Sequence, residues 1–184
     1  MSWNTRSTRS PCLTTCRDGR TGSFWDSVAA SAVCRVLSAL NDHLLVWDLE
    51  TIPDLPCVAR VHGIDAGDEA GCREALGDKF PKLPFHRVAC IGVLIAERNS
   101  SGWVVRSVGA PHMGERTEAE LLQSFADRIE ALRPQLVTFN GGSFDMPVLR
   151  YRAMINRVSA PGLECRRYWN RYSDDCLDLC VSLR

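Results

Sequence analysis

The sequence predicts an α/β domain whose mixed β-sheet is flanked by helices. Three observations predict it. An apolar run, "HLLVWDLE", ends in two acids near residue 50. Two further apolar runs, "HRVACIGVLIAE" and "GWVVRSVG", are joined by the short polar turn "RNSSG". An amphipathic stretch, "TEAELLQSFADRIEALRP", then leads into another short apolar run, "QLVTFN". Periods of two and of 3.6 residues therefore follow one another along the chain. The order is β-β-β-α-β-α, and a helical crossover before the fourth strand favours pairing it parallel to the first.

Composition narrows the class. The 184 residues carry 22 basic and 22 acidic side chains, and 45% of them are apolar. That suits one globular domain with a real core. Zero formal charge argues against an indiscriminate polyanion binder while leaving room for a local basic patch. No run of 18 apolar residues is present, so no transmembrane helix and no membrane partner is expected. The nine cysteines are odd in number and irregularly spaced, which reads as reduced thiols and a cytoplasmic location. The CxxxC pairs Cys12/Cys16 and Cys176/Cys180 lack a matching His/Cys pair with zinc-finger spacing.

Residues 1–40 differ from the rest. They are rich in Ser, Thr and Arg, show no period, and read as a poorly ordered extension ahead of a domain at 41–184. The first strand starts near His43 and ends by Pro53 and Pro56. Residues 57–84 read as an insertion with one short helix in "DEAGCREALGDKF". The second and third strands form an antiparallel hairpin. The first clear helix opens on a capping box, Thr117 with Glu120. Its inward face is Leu121, Leu122, Phe125, Ile129 and Leu132, and Pro134 stops it. The fourth strand ends at Asn140. A second helix, "FDMPVLRYRAMINR", begins near Ser143 or Phe144, because Pro147 is tolerated only in a first turn.

Two short motifs carry chemistry. Asp48 and Glu50 are two residues apart on a strand, so they share a face and repel each other. A divalent cation would use such a pair, since hard cations take carboxylate oxygens; many surface strands also carry two acids by chance. In "TFNGGSFDMPVLRYR", Gly141 and Gly142 permit a tight turn and Asp145 falls in the first helical turn. There the helix dipole alone would favour an acid. If the fourth strand lies beside the first, Asp145 faces Asp48 and Glu50. The glycine pair lacks the lysine and hydroxyl of a nucleotide P-loop. The four histidines are scattered and form no triad with a Ser or Cys.

Together, "WDLETIPD", "FPKLPFHRV", "FNGGSFDMPVLRYRA" and "YWNRYSDDCLDL" resemble the predicted 3′–5′ exonuclease family related to the proofreading domain of family B DNA polymerases. That family belongs to the DEDD (DnaQ-like) exonucleases. The resemblance runs from about Leu44 to the end and implies a ribonuclease H-like fold. It implies that Asp48, Glu50 and Asp145 are catalytic, metal-binding carboxylates for Mg²⁺ or Mn²⁺, in a two-metal site in the full-length form. Asn140 and Phe144 would shape the substrate groove, although core packing explains Phe144 equally well. The implied partner is nucleic acid, at single-stranded 3′ ends.

Two features qualify this. The family's late Tyr-x-x-x-Asp or His-x-x-x-x-Asp motif has no counterpart, so the domain is expected to be incomplete at its C-terminus. Asp178 then reads as a structural acid near the site, and Asp174 and Asp175 as solvated. The alternative is a non-catalytic nucleic-acid-binding module or an inactive fragment of such an exonuclease. From Arg150 to Tyr172, six Arg alternate with aromatics. That suits a single strand, with Arg150 as a substrate contact, or equally a solvated helix face over buried aromatics.

Overall fold

The strand-like runs and the helix are built as their periods require. A computed structural model of the chain describes residues 42–170 and 173–183; the expected extension at 1–40 lies outside the described residues, as do Arg171 and Tyr172. Strand β1 (His43–Pro53) buries Leu45, Trp47 and Leu49 and exposes Asp48 and Glu50. It pairs antiparallel with β2 (His86–Asn99), which turns back antiparallel into β3 (Gly102–Gly109). Strand β4 (Gln135–Thr138) lies parallel to β1, with Leu44, Leu45 and Val46 opposite Gln135, Leu136 and Val137.

A fifth strand, β5 (Cys176–Asp178), adds parallel to β4 and completes the order β3-β2-β1-β4-β5. Only β2 runs against the others. At three residues, β5 is too short to show a period. The mixed sheet expected from the sequence is thus present, with one strand more.

Between β1 and β2 lie two short helices, α1 (Leu55–His62) and α2 (Glu69–Leu76). The second was expected. The first was not, because Pro53 and Pro56 read as the end of a strand. Pro56 instead occupies the first helical turn, and the Asp54 side chain accepts from the Cys57 amide at 3.1 Å, a proline-and-cap helix start. These helices make a small cluster of their own from Val58, Ala59 and Cys72, backed by Leu55, Ile64, Leu76 and Phe85.

Helix α3 (Glu118–Leu132) carries the expected capping box. Leu121, Leu122, Phe125, Ala126 and Ile129 are buried on it, and the Phe125 and Trp47 rings lie 5.1 Å apart. Helix α4 (Asp145–Ile155) adds Met146, Val148 and Leu149 to the same core as Leu45, Trp47 and Leu136. The short α5 (Leu179–Ser182) follows β5, capped by Asp178. Among the described residues, no helix is long and apolar enough to cross a membrane.

Candidate active site

The parallel pairing of β1 with β4 brings their carboxyl ends together, where α/β sheets gather ligands. A cleft of about 590 Å³ opens there, lined by Asp48, Leu49, Phe139, Asn140, Ser143, Phe144 and Asp145 and by Phe80 to Leu83. Of the residues expected from sequence, Asp48, Asn140, Phe144 and Asp145 line this cleft. Glu50 shares the exposed face of Asp48 on β1 but does not line it.

The turn between β4 and α4 is built by three local constraints. Asn140, not a glycine, takes the left-handed conformation, with φ +62°; Asn tolerates that region better than most side chains. Gly141 is needed for space, since a Cβ there would lie 2.2 Å from Thr138 Oγ1. The Met146 amide donates to the Gly141 carbonyl at 2.9 Å, starting the helix.

A fourth constraint comes from far along the chain. The Asp178 carboxylate accepts from the Asn140 amide at 2.7 Å and the Gly142 amide at 3.4 Å, and also caps α5 through the Cys180 amide at 3.1 Å. Asp178 thus clamps the turn, in keeping with a structural acid.

Asp145 is 3% exposed. Burial, then the charge of Asp48 and more weakly that of Asp178, push its carboxyl up to about 6, against hydrogen bonds from its own amide and that of Leu49. A buried acid facing a like charge is the state that a cation relieves. Carboxylate oxygens are the donors a hard cation takes, so Asp48 and Asp145 fit Mg²⁺ or Mn²⁺. Among the described residues no three His, Cys, Asp or Glu side chains are grouped to hold an ion by themselves. Mg²⁺ commonly binds through one or two carboxylates, with water and substrate phosphate in the other positions.

Of the two CxxxC pairs, Cys12/Cys16 lies outside the described residues; in the other, burial and then Asp178 and Asp175 push the Cys176 thiol up to about 11.

The basic stretch after residue 149 has partners of its own. Arg150, expected to touch substrate, pairs with Glu164 at 2.7 Å and is not among the residues lining the cleft. Arg152 is buried and bonded to Glu118 and Asp54. Asp175, expected to be solvated, is held by Arg166, the Arg167 amide and Ser173. Burial raises its carboxyl, but these bonds outweigh burial and leave it below the usual range. Tyr168 is 1% exposed and donates to the Pro134 carbonyl at 2.9 Å, so it is core, not a stacking surface. Phe144 lines the cleft and also packs on the main core.

Among the cleft residues that sequence reasoning missed are Phe80, Lys82 and Phe139. Their signal was available, as aromatics and a lysine in "FPKLPF" and an aromatic immediately before Asn140.

Comparison with known proteins identifies the family. Residues 78–183 match a family described as a predicted 3′–5′ exonuclease related to the exonuclease domain of PolB. The match covers more than half of the chain, and the chain belongs to this family. It includes Asn140, Phe144 and Asp145 but begins after Asp48 and Glu50. A family B DNA polymerase from the hyperthermophilic archaeon Pyrobaculum calidifontis is similar over 65% of this chain and 12% of its own, at 18% identity and a TM-score of 0.38. The chain therefore spans a small part of that polymerase's length. No curated protein matches.

Proposed function

We propose that this member of the exonuclease family hydrolyses phosphodiester bonds at nucleic-acid 3′ ends with Mg²⁺ or Mn²⁺. The observation that carries the reading is Asp145 in the first turn of α4, its carboxyl raised first by burial and then by the charge of Asp48, with both acids lining one cleft. A buried acid held beside a like charge at the carboxyl end of parallel strands is costly, and such costs collect at functional sites; Asp145 lies within the segment that matches an exonuclease family.

Asp48 and Asp145 would hold the cation. Once bound, a divalent cation neutralises the scissile phosphate and lowers the pKa of water. Glu50, two residues along the same face of β1, lies outside the cleft lining and would reach the cation only from its edge. Asn140 and Phe144 border the position of the terminal nucleotide, and the Asp178 clamp keeps their turn fixed. A second reading, a strand-binding module without catalysis, draws support from the lack of a three-ligand group among the described residues.

The test is a 5′-labelled single strand incubated with Mn²⁺. Stepwise shortening from the 3′ end by this chain, lost in Asp48→Ala, is the expected result. Binding of the strand without shortening at any Mn²⁺ concentration would favour the second reading.

A further inference from the structure

We infer that Thr138 is a positioning residue for the cleft: its buried hydroxyl donates to the second oxygen of Asp178 when the turn between β4 and α4 closes on the end of a bound strand. The turn can then move without leaving a buried carboxylate short of a donor. This rests on the exonuclease reading of the cleft and names the group that lets its turn shift.

Three observations carry it. First, Thr138 is 2% exposed, and its Oγ1 has no hydrogen-bond partner among the described residues. Buried hydroxyls are nearly always bonded, and one left without a partner is maintained at a cost. Val has nearly the same shape and would fill this end of β4 without that cost. An idle buried donor points to a second arrangement in which it is used.

Second, the buried Asp178 carboxylate is satisfied unevenly. Its Oδ1 accepts from the Asn140 and Cys180 amides at 2.7 and 3.1 Å. Its Oδ2 accepts from the Gly142 amide at 3.4 Å, beyond the usual range for such a bond. That long bond is the first to part when the turn shifts, and the carboxylate oxygen then needs another donor.

Third, Thr138 is placed to be that donor. It lies opposite Asp178 in the parallel pairing of β4 with β5, so the two side chains share one face of the sheet. The turn rests directly on it: a Cβ on Gly141 would meet Thr138 Oγ1, Cγ2 and Cβ at 2.2, 2.7 and 2.8 Å. Movement of the turn and rotation of the Thr138 side chain are thus linked. A staggered step about χ1 re-aims the hydroxyl without moving β4.

The consequence for the cleft follows from what the turn carries. Asn140 and Phe144 stand at its two ends, and both line the cleft. A nucleotide end that draws them inward pulls the Gly142 amide from Asp178. The Thr138 hydroxyl donates in its place, so the closed turn costs no buried hydrogen bond. Neither Asp48 nor Asp145 takes part in this exchange, and cation binding does not depend on it.

The test pairs stability with strand binding in Thr138→Val and Thr138→Ser. In EDTA, Thr138→Val should melt no lower than the parent, since it removes a donor without a partner. Its Mn²⁺ affinity should stay within about twofold, the scatter expected of independent sites. Strand affinity is read in Mg²⁺ by anisotropy of a labelled single strand with phosphorothioate linkages at its 3′ end, which keep it intact. Thr138→Val should weaken it by roughly 10- to 150-fold, the worth of a hydrogen bond to a charged group. In cleavage, KM should rise by a like factor while kcat holds, because a bond made in both the ground and the transition state sets binding alone. Thr138→Ser keeps the hydroxyl and should restore strand binding to within about twofold of the parent. Added to Asp178→Ala, Thr138→Val should cost less than about a further twofold, since its acceptor is gone.

A lower melting point for Thr138→Val would mean that the hydroxyl is already bonded in the folded chain, and would overturn the exchange. So would parent-like strand binding by Thr138→Val, or a loss that Thr138→Ser does not repair. Each of these leaves the exonuclease reading standing. Failure of the parent chain itself to bind any strand would remove both.

Discussion

Helix α4 carries two buried charges, and the chain treats them in opposite ways. Asp145 at its start and Arg152 two turns later are each 3% exposed. Arg152 is met on every side. Its Nε and Nη2 donate to the two Glu118 oxygens at 2.8 and 2.6 Å, and its Nη1 donates to Asp54 at 2.5 Å. Glu118 in turn accepts from the Val88 amide and from Asn156. Burial lowers the affinity of Arg152 for its proton, but Glu118 and Asp54 outweigh burial and raise it.

Asp145 has the reverse company. Its charged neighbours, Asp48 and Asp178, share its sign, and burial adds to their effect. A buried charge whose partners are all present ties elements together. A buried charge surrounded by its own sign is maintained at a cost, and such costs collect at functional sites. One network joins α3, α4, β2 and the cap of α1. The other faces a cleft.

Three experiments would break or sharpen this comparison. The largest effect belongs to Arg152→Met, which leaves Asp54 buried without its cation and Glu118 with only Arg87, 3.8 Å away. It should cost about 3–5 kcal/mol of stability, read as a lower urea midpoint. A loss under about 1 kcal/mol would mean that the network is solvated and that the contrast is false.

The opposite sign is expected of Asp145→Asn in metal-free protein. The folded-state value near 6 lies above the ordinary value of about 3.9, so the folded state holds the proton more tightly. The stability linked to that proton is complete below about pH 4 and is lost as pH rises through about 6. Asn mimics the protonated form. At pH 8 with EDTA, Asp145→Asn should be more stable than the parent by about 1–3 kcal/mol. The gain should fade as pH drops through 6 toward 4, since other groups titrate alike in both proteins. Mn²⁺ should raise the melting temperature of the parent and not of the variant. A destabilised Asp145→Asn at pH 8 would make Asp145 a structural acid like Glu118.

The smallest effect is that of Asp178→Ala, which frees the Asn140 and Gly142 amides. The turn stays partly open to water, so about 1–2 kcal/mol is expected. Cleavage should fall while Mn²⁺ binding persists, because the turn loosens while Asp48 and Asp145 remain. Loss of Mn²⁺ binding in Asp178→Ala would move that residue from clamp to ligand.

What could be read in advance follows the range of the interactions. The strand carrying Asp48 and Glu50, the capping box at Thr117, and the start of α4 set by Pro147 all depend on residues within a few positions of one another. Periods, caps and proline geometry decide such features locally. The sequence by itself therefore determined the two acids on one face of β1, the acid at the head of α4, and the parallel crossover that brings their ends together.

The tertiary structure alone decided the rest. Arg152 and Asp54 are 98 positions apart, and Asn140 and Asp178 are 38 apart. Arg150 and Arg152 read identically as members of a basic stretch, yet one pairs at the surface and the other is sealed in the core. Phe80 sits in a stretch that one sequence cannot attach to any strand, and His86 fixes it to β1 through Thr51. Whether a charge is satisfied, or an aromatic ring faces water beside two acids, depends on which distant groups surround it. A local pattern carries no record of those neighbours, because they are chosen by packing of the whole sheet and its helices.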